Sequence, residues 1–194
     1  EYEAAIEAYA AALRSDRTHK WAYANRANAR YQLKDYAGAI NDASQAINID
    51  DKYAWAYDLR ARSWYFSDDL RRALEDFDHA IRLAPDEAGY YVNRGTAWKK
   101  QKEYSKTIAD YTTAIRLGSD DPGVHNIIAW NCAACADSRL LDGREAVRHA
   151  LAACEATAFE HPSYVDTLAA GYARSGDFAN AVKYARLSKR VNWT

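Results

Sequence analysis

A fixed step runs along this chain and limits its fold more than any other feature of the sequence. Ala5, Ala39 and Ala73 fall on it, with Thr107 in the fourth place. Five more columns keep the same spacing: Ala12, Ala46, Ala80, Ala114; Leu13, Ile47, Ile81, Ile115; Ile6, Ile40, Leu74, Ile108; Tyr2, Tyr36, Leu70, Tyr104; and Tyr9, Ala43, Phe77, Tyr111. Across all six columns only Thr107 is not apolar. A composition that is 49% apolar would scatter polar residues through such columns, so the period reports structure.

Inside each period the spacing is helical. Ala39, Ile40, Ala43, Ala46 and Ile47 recur on one face of a 3.6-residue turn. An earlier helix precedes each of these, carrying Tyr23, Ala27 and Arg30, then Tyr57, Ala61 and Trp64, then Tyr91, Gly95 and Trp98. Ala27, Ala61 and Gly95 hold a position where two helix backbones approach closely. Asp50-Asp51, Ala84-Pro85-Asp86 and the run from Gly118 to Pro122 are stop and restart signals. Later the step loosens: the span from Ala129 to Ala146 is longer than those from Ala27 to Ala39 and from Ala61 to Ala73, which places an insertion between Cys135 and Gly143. The turn at Phe159-Glu160-His161-Pro162 is also long. The reading is all-α, stacked antiparallel helix pairs, with boundaries at 1–19 (a second helix alone), 20–53, 54–87, 88–121, 122–161 and 162–194.

Composition excludes several classes. Twenty-six basic and 27 acidic side chains nearly cancel, so no global attraction to nucleic acid or to an anionic membrane is expected. Apolar runs fall short of the roughly 20 residues a membrane-spanning helix needs. Eight Gly and three Pro argue for helices and tight turns. Three Cys are too few for a disulfide framework and fit a reducing compartment, so the cytoplasm is expected.

These columns resemble the tetratricopeptide repeat (TPR) family across nearly the whole chain. The resemblance rests on the small residue at the eighth repeat position, aromatic residues at the fourth, eleventh and seventeenth, Ala at the twentieth and twenty-seventh, and Pro85 at the thirty-second. Tyr91-Val92-Asn93-Arg94-Gly95 and its echo Tyr23-Ala24-Asn25-Arg26-Ala27 are similar to a bacterial variety. It implies a right-handed α-solenoid, a single array over 1–194 whose first helices line an inner surface. Such a surface holds a segment of another protein.

The family register names the lining. In the first full repeat the resemblance points to Trp21, Asn25, Asn28 and Tyr31, beside Ala24 and Gln32. In the second it points to Trp55, Asp58, Arg62, Tyr65 and Phe66, beside Leu59. In the third it points to Asn93, Thr96, Lys99 and Lys100, beside Gly89 and Val92. Asn donates and accepts at once, which suits a partner's backbone, and Arg and aromatic residues are frequent binding hot spots. Trp64 and Trp98 fall at a core-facing position. The two-carboxylate clamp of the family's chaperone-tail binders needs cations that this register lacks: Ala24, Asn28, Leu59, Gly89 and Asn93 stand there. A chaperone carboxylate is therefore not the expected ligand.

Catalytic and metal chemistry find little support. Cys132 and Cys135 have the C-x-x-C spacing, but structural zinc takes four ligands and only Cys154, His125 and His149 are left to complete them. No cofactor or metal is expected. The five His are scattered, Asp50-Asp51, Asp68-Asp69 and Asp120-Asp121 sit at turns, and no phosphate loop or nucleophile elbow occurs, so an enzyme is not expected. Arg26, Arg60 and Arg94 form one column and Asp42, Asp76 and Asp110 another, which suggests ion pairs from repeat to repeat. The chain opens on a second helix, Tyr2 to Arg14, whose stripe of Ala5, Tyr9 and Ala12 lacks its usual partner. A segment of a longer chain, or a homo-oligomer formed through this helix, would cover it. The expectation is a non-catalytic interaction module, with a self-associating structural array as the alternative.

Overall fold

The computed structural model describes residues 1–135 and 137–191. Ala136, inside the insertion, and 192–194, at the end of the last repeat, lie outside the described residues. Eleven α-helices account for most of the described residues, and no strand occurs among them. They are α1 (Tyr2–Ser15), α2 (Lys20–Gln32), α3 (Tyr36–Ile49), α4 (Ala54–Phe66), α5 (Leu70–Leu83), α6 (Ala88–Lys100), α7 (Tyr104–Arg116), α8 (Pro122–Ala134), α9 (Gly143–Ala156), α10 (Pro162–Ser175) and α11 (Phe178–Val191). Among the described residues one 3₁₀ turn occurs, Ser138–Leu140, within the insertion. Glu1–Glu103 form one compact unit and Tyr104–Thr194 a second.

Each helix starts and stops for local reasons. Asp35, Asp69 and Asp121 accept the first free backbone N–H groups of α3, α5 and α8, from Gly38, Arg72 and Gly123. Asp142 does so twice for α9. The turns inside the first unit repeat as the sequence does. Lys34, Asp68 and Lys102 lie one period apart and all take the left-handed conformation, with φ of 62°, 65° and 62°. The residue after each donates back to the helix just ended: Asp35 to Arg30, Asp69 to Trp64 and Glu103 to Trp98.

In the first unit α2 packs on α4 and α4 on α6, while α1, α3 and α5 pack chiefly on the first helices beside them. The layer of α2, α4 and α6 is therefore the inner one, and α1, α3 and α5 spread behind it. Small residues set this approach: Ala27, Ala61, Ala46 and Ala80 are fully buried, and Gly95 is buried with them. Tyr57, Leu59 and Ile47 fill the space between α2, α3 and α4. Leu74 and Phe77 of α5 close on Ala61 and Ala97, with Trp64 and Trp98 half-buried against them. The second unit has the same order, α8 on α10 with α9 and α11 behind. Its core gathers Ala129, Ala150, Cys154, Val165 and Leu168.

The charged columns pair differently from the expected repeat-to-repeat bridges. Arg26 grips Asp42 with two hydrogen bonds of 2.7 Å, and Arg60 grips Asp76 at 2.7 and 2.8 Å. Both pairs lie inside one repeat, because residues at this separation face each other across a helix hairpin. The link between repeats comes from the same arginine column. Arg60 reaches Ser44 of the preceding repeat at 3.1 Å, and Arg94 reaches Asp78, one period after Ser44, at 2.6 Å. Asp42 is 1% exposed, so this pair is a buried one.

Candidate functional site

The inner layer of the first unit gathers a group of side chains from the middle to the C-terminal ends of its helices. Tyr31 from α2, Arg62, Tyr65 and Phe66 from α4, and Asn93 and Thr96 from α6 line a cleft of about 300 Å³, with Phe77 of α5 also in its lining. Register explains the convergence. Tyr31 and Tyr65 are one period apart on successive first helices, and Arg62 and Thr96 are likewise. Parallel packing of α2, α4 and α6 brings these columns side by side.

Four aromatic rings make one wall. Phe66, 53% exposed, stacks on Tyr36 at 5.4 Å and 12°, meets Tyr31 edge-on at 5.7 Å and Tyr65 edge-on at 5.1 Å. Tyr31 and Tyr36 are 5.8 Å apart. These separations fall in the range in which ring pairs attract beyond simple burial. Two cations rest on different rings: the Arg62 guanidinium lies 4.3 Å from the centre of Tyr31, and the Lys100 ammonium 4.8 Å from that of Tyr65.

Asp58 stands behind this wall. Its carboxylate accepts from the Asn93 amide at 2.7 Å and lies 3.7 Å from Arg62, one helical turn on. Only 3% of it is exposed. Burial pushes its carboxyl up to about 6, although the Asn93 and Arg62 contacts work the other way. The Tyr90 phenol is pushed up to about 12, first by burial and then by the negative charges of Asp58 and Glu87. Asp58 thus fixes Arg62 and Asn93 from beneath and has little surface to offer a ligand. At the rim Lys100 pairs with the exposed Asp68 at 2.7 Å, beside the exposed Lys99.

The remaining expected residues lie elsewhere on the inner layer. Trp21, 56% exposed, sits at the start of α2, about 15 Å along the helix from Tyr31. Lys20 lies 4.6 Å from the Trp21 ring centre, and the Asn25 amide donates to the Trp21 carbonyl at 2.8 Å. Trp55 is half-buried against the core of the first unit and meets Tyr53 edge-on at 6.0 Å. Asn28 lies half-buried one turn before Tyr31. Tyr36 and Phe77 were legible only as columns of the apolar period, which marks core and says nothing of a cleft. A larger depression, of about 670 Å³, opens between the α9–α10 turn and α11, among Phe159, Pro162, Leu187 and Val191, and gathers none of the expected residues.

Cys132 and Cys154 are buried and Cys135 half-buried, all three as free thiols. Burial pushes the Cys154 thiol up to about 11, away from a reactive thiolate. Among the described residues no three His, Cys, Asp or Glu side chains are placed to hold a metal, and no helix is long and apolar enough to cross a membrane.

No family model matches the sequence, and no curated protein is similar to it in sequence. Solved structures are similar in fold. YrrB, described as a TPR protein with an unusual peptide-binding site, is 17% identical with a TM-score of 0.81 over 96% of this chain and 93% of its own. MamA from Desulfovibrio magneticus RS-1 is 13% identical with a TM-score of 0.74, over 89% of this chain and 94% of its own. BtubC from P. vanneervenii is 16% identical with a TM-score of 0.72, over 98% and 88%. At these identities the likeness carries the fold. The periodic columns, the paired helices and these neighbours agree: the chain is a TPR-type array, an all-α solenoid.

Proposed function

We propose that this chain is a non-catalytic protein-interaction module and that the inner layer of its first unit holds a segment of a partner protein. The observation that carries this reading is the convergence of Tyr31, Arg62, Tyr65, Phe66, Asn93 and Thr96, from three successive first helices, on one cleft. The expected surface narrows accordingly. Its working part is that cleft with Asn28 leading into it and Lys99 and Lys100 at its rim. Trp21, Asn25 and Trp55 would meet a longer segment farther along α2 and α4. Asp58 acts as a positioning residue for Arg62 and Asn93. An exposed aromatic held rigidly between neighbours gives contact area at little entropic cost, which is what a recognition patch requires. Three free thiols fit work in a reducing compartment.

The test is a pull-down from native extract with quantitative mass spectrometry, comparing the parent protein, Arg62→Glu plus Phe66→Ala, and Arg71→Glu on the outer layer. Partners lost with the cleft variant and retained by Arg71→Glu are the expected result. Equal recovery with all three would reject the cleft.

Self-association is the second reading. It is favoured by exposed apolar side chains on α11, Phe178 at 69% and Val182 at 50%. Light scattering separates the two, since a stable oligomer indifferent to the cleft variant supports assembly.

A further inference from the structure

The lining of the cleft is one-sided in charge. Among its described residues Arg62 is charged and none is acidic. Asp58, 3.7 Å from Arg62, is buried behind the wall and accepts from Asn93, so it offers no surface to a ligand. The Arg62 guanidinium lies over Tyr31 and turns one arm to Asp58 at 3.7 Å, which leaves its other N–H groups to meet a ligand. At the other side of the aromatic wall the Lys100 ammonium lies over Tyr65 and pairs with the exposed carboxylate of Asp68, and its chain neighbour Lys99 is exposed.

Size limits what enters. A concavity of about 300 Å³ is at the lower end of ligand sites, room for one large side chain and a short stretch of backbone and too small for a helix. Its walls are ring faces and edges, so an aromatic side chain gains edge-to-face or offset contacts that an aliphatic one does not. The Asn93 amide nitrogen is committed to Asp58, which leaves its carbonyl oxygen to accept a backbone N–H from the segment.

We infer that the cleft takes an aromatic side chain of a partner segment flanked by side-chain carboxylates, the ring entering beside Phe66 and the carboxylates meeting Arg62 and Lys100. The two cations rest on different rings, Tyr31 and Tyr65, and so do not converge on one carboxylate. That arrangement fits acids on both sides of a ring within a running segment, and not the terminal carboxylate of a chain. The inference rests on the groove reading above and adds the chemistry of the occupant.

A random twelve-residue library displayed without free C-termini, selected on the full chain, tests it. The expected result is enrichment of Phe, Tyr or Trp with Asp or Glu close on either side. The best enriched peptide, made with blocked ends, should bind at least tenfold more weakly to Phe66→Ala and at least fivefold more weakly to Lys100→Gln or Arg62→Gln, and its affinity should fall with added salt. Lys100 is exposed, so its variant stays informative if Arg62→Gln fails to fold. Aromatic peptides with neutral or basic neighbours, still lost with Phe66→Ala, would overturn the acidic flank and leave the groove reading standing. Peptides indifferent to all three variants would overturn both. No enrichment would overturn the inference, while the pull-down still decides the groove.

Discussion

Stability of the second unit should depend on pH through one buried histidine. His149 of α9 is 3% exposed, with its Nδ1 2.9 Å from Nδ1 of His125 on α8 and its Nε2 2.8 Å from the Arg148 guanidinium. Arginine only donates, so Nε2 of His149 accepts. Its proton then sits on Nδ1 and is donated to His125, whose own proton is on Nε2. A second proton on His149 would set an N–H against the guanidinium. Burial, then the charge of Arg148, then His125 hold His149 down to about 4, with Glu145 opposing them. Burial and Arg148 also lower His125, against Asp121. An unfolded chain, with an ordinary histidine near 6.5, takes up the proton first as pH falls. The stabilisation is therefore complete above about pH 6.5 and is lost on the way to pH 4. From these values the linkage is worth about 2 kcal/mol between pH 8 and pH 5.

Asp58 works in the opposite sense. Its raised carboxyl lets the folded state bind the extra proton between about 4 and 6, which favours folding as pH falls. The parent protein alone therefore shows a blunted curve, and His149→Gln must be run beside it. Urea unfolding followed by circular dichroism from pH 8 to pH 5 is the assay. The parent should lose about 2 kcal/mol more than the variant over that range, the full linkage of the one histidine. Parallel curves, whose separation changes by under about 0.5 kcal/mol from pH 8 to pH 5 and so stays within the spread of unlinked sites, would refute the argument.

Other consequences are simpler to check. Asp42→Ala strands Arg26 and Arg30 beside a buried gap and should cost about 3 kcal/mol in urea unfolding, whereas Glu75→Ala, which breaks the exposed pair with Arg71, should cost under about 1 kcal/mol. Gly143→Ala would place a Cβ 2.5 Å from the backbone nitrogen of Ser175, and backbone has no flexible end to move aside. A loss of about 2 kcal/mol or more in thermal or urea unfolding is expected. Lys34→Gly relieves a left-handed lysine with φ of 62° and should raise stability by about 0.5–1 kcal/mol; a loss would mean the turn is not as described.

The fold was legible because the repeat writes the same packing problem several times. Ala27, Ala61 and Gly95 recur where backbones meet, and Tyr57 or Phe77 recur where they fill core. Charge pairing was less legible. Spacing put Arg60 near a carboxylate, but whether Asp76 lies across the hairpin or across the stack depends on helix orientation, which the period alone does not set. The site was legible as a face and not as a place. Register named Tyr31, Arg62 and Asn93, yet it weighted Trp21 and Phe66 alike, though only Phe66 is framed by three rings. Asp58 shows the limit most clearly. A register position counts it as lining, and only coordinates reveal a carboxylate buried behind the wall and pushed up to about 6.

The central claim, that partners meet this chain at the cleft between α2, α4 and α6, is tested most directly by site-specific photocrosslinking. A benzophenone side chain placed at Phe66, and in a second protein at Arg71 on the outer layer, is irradiated in native extract. Adducts formed at 66, absent at 71 and suppressed by Arg62→Glu are the predicted result. Adducts formed equally at both positions, or at 71 alone, would contradict it.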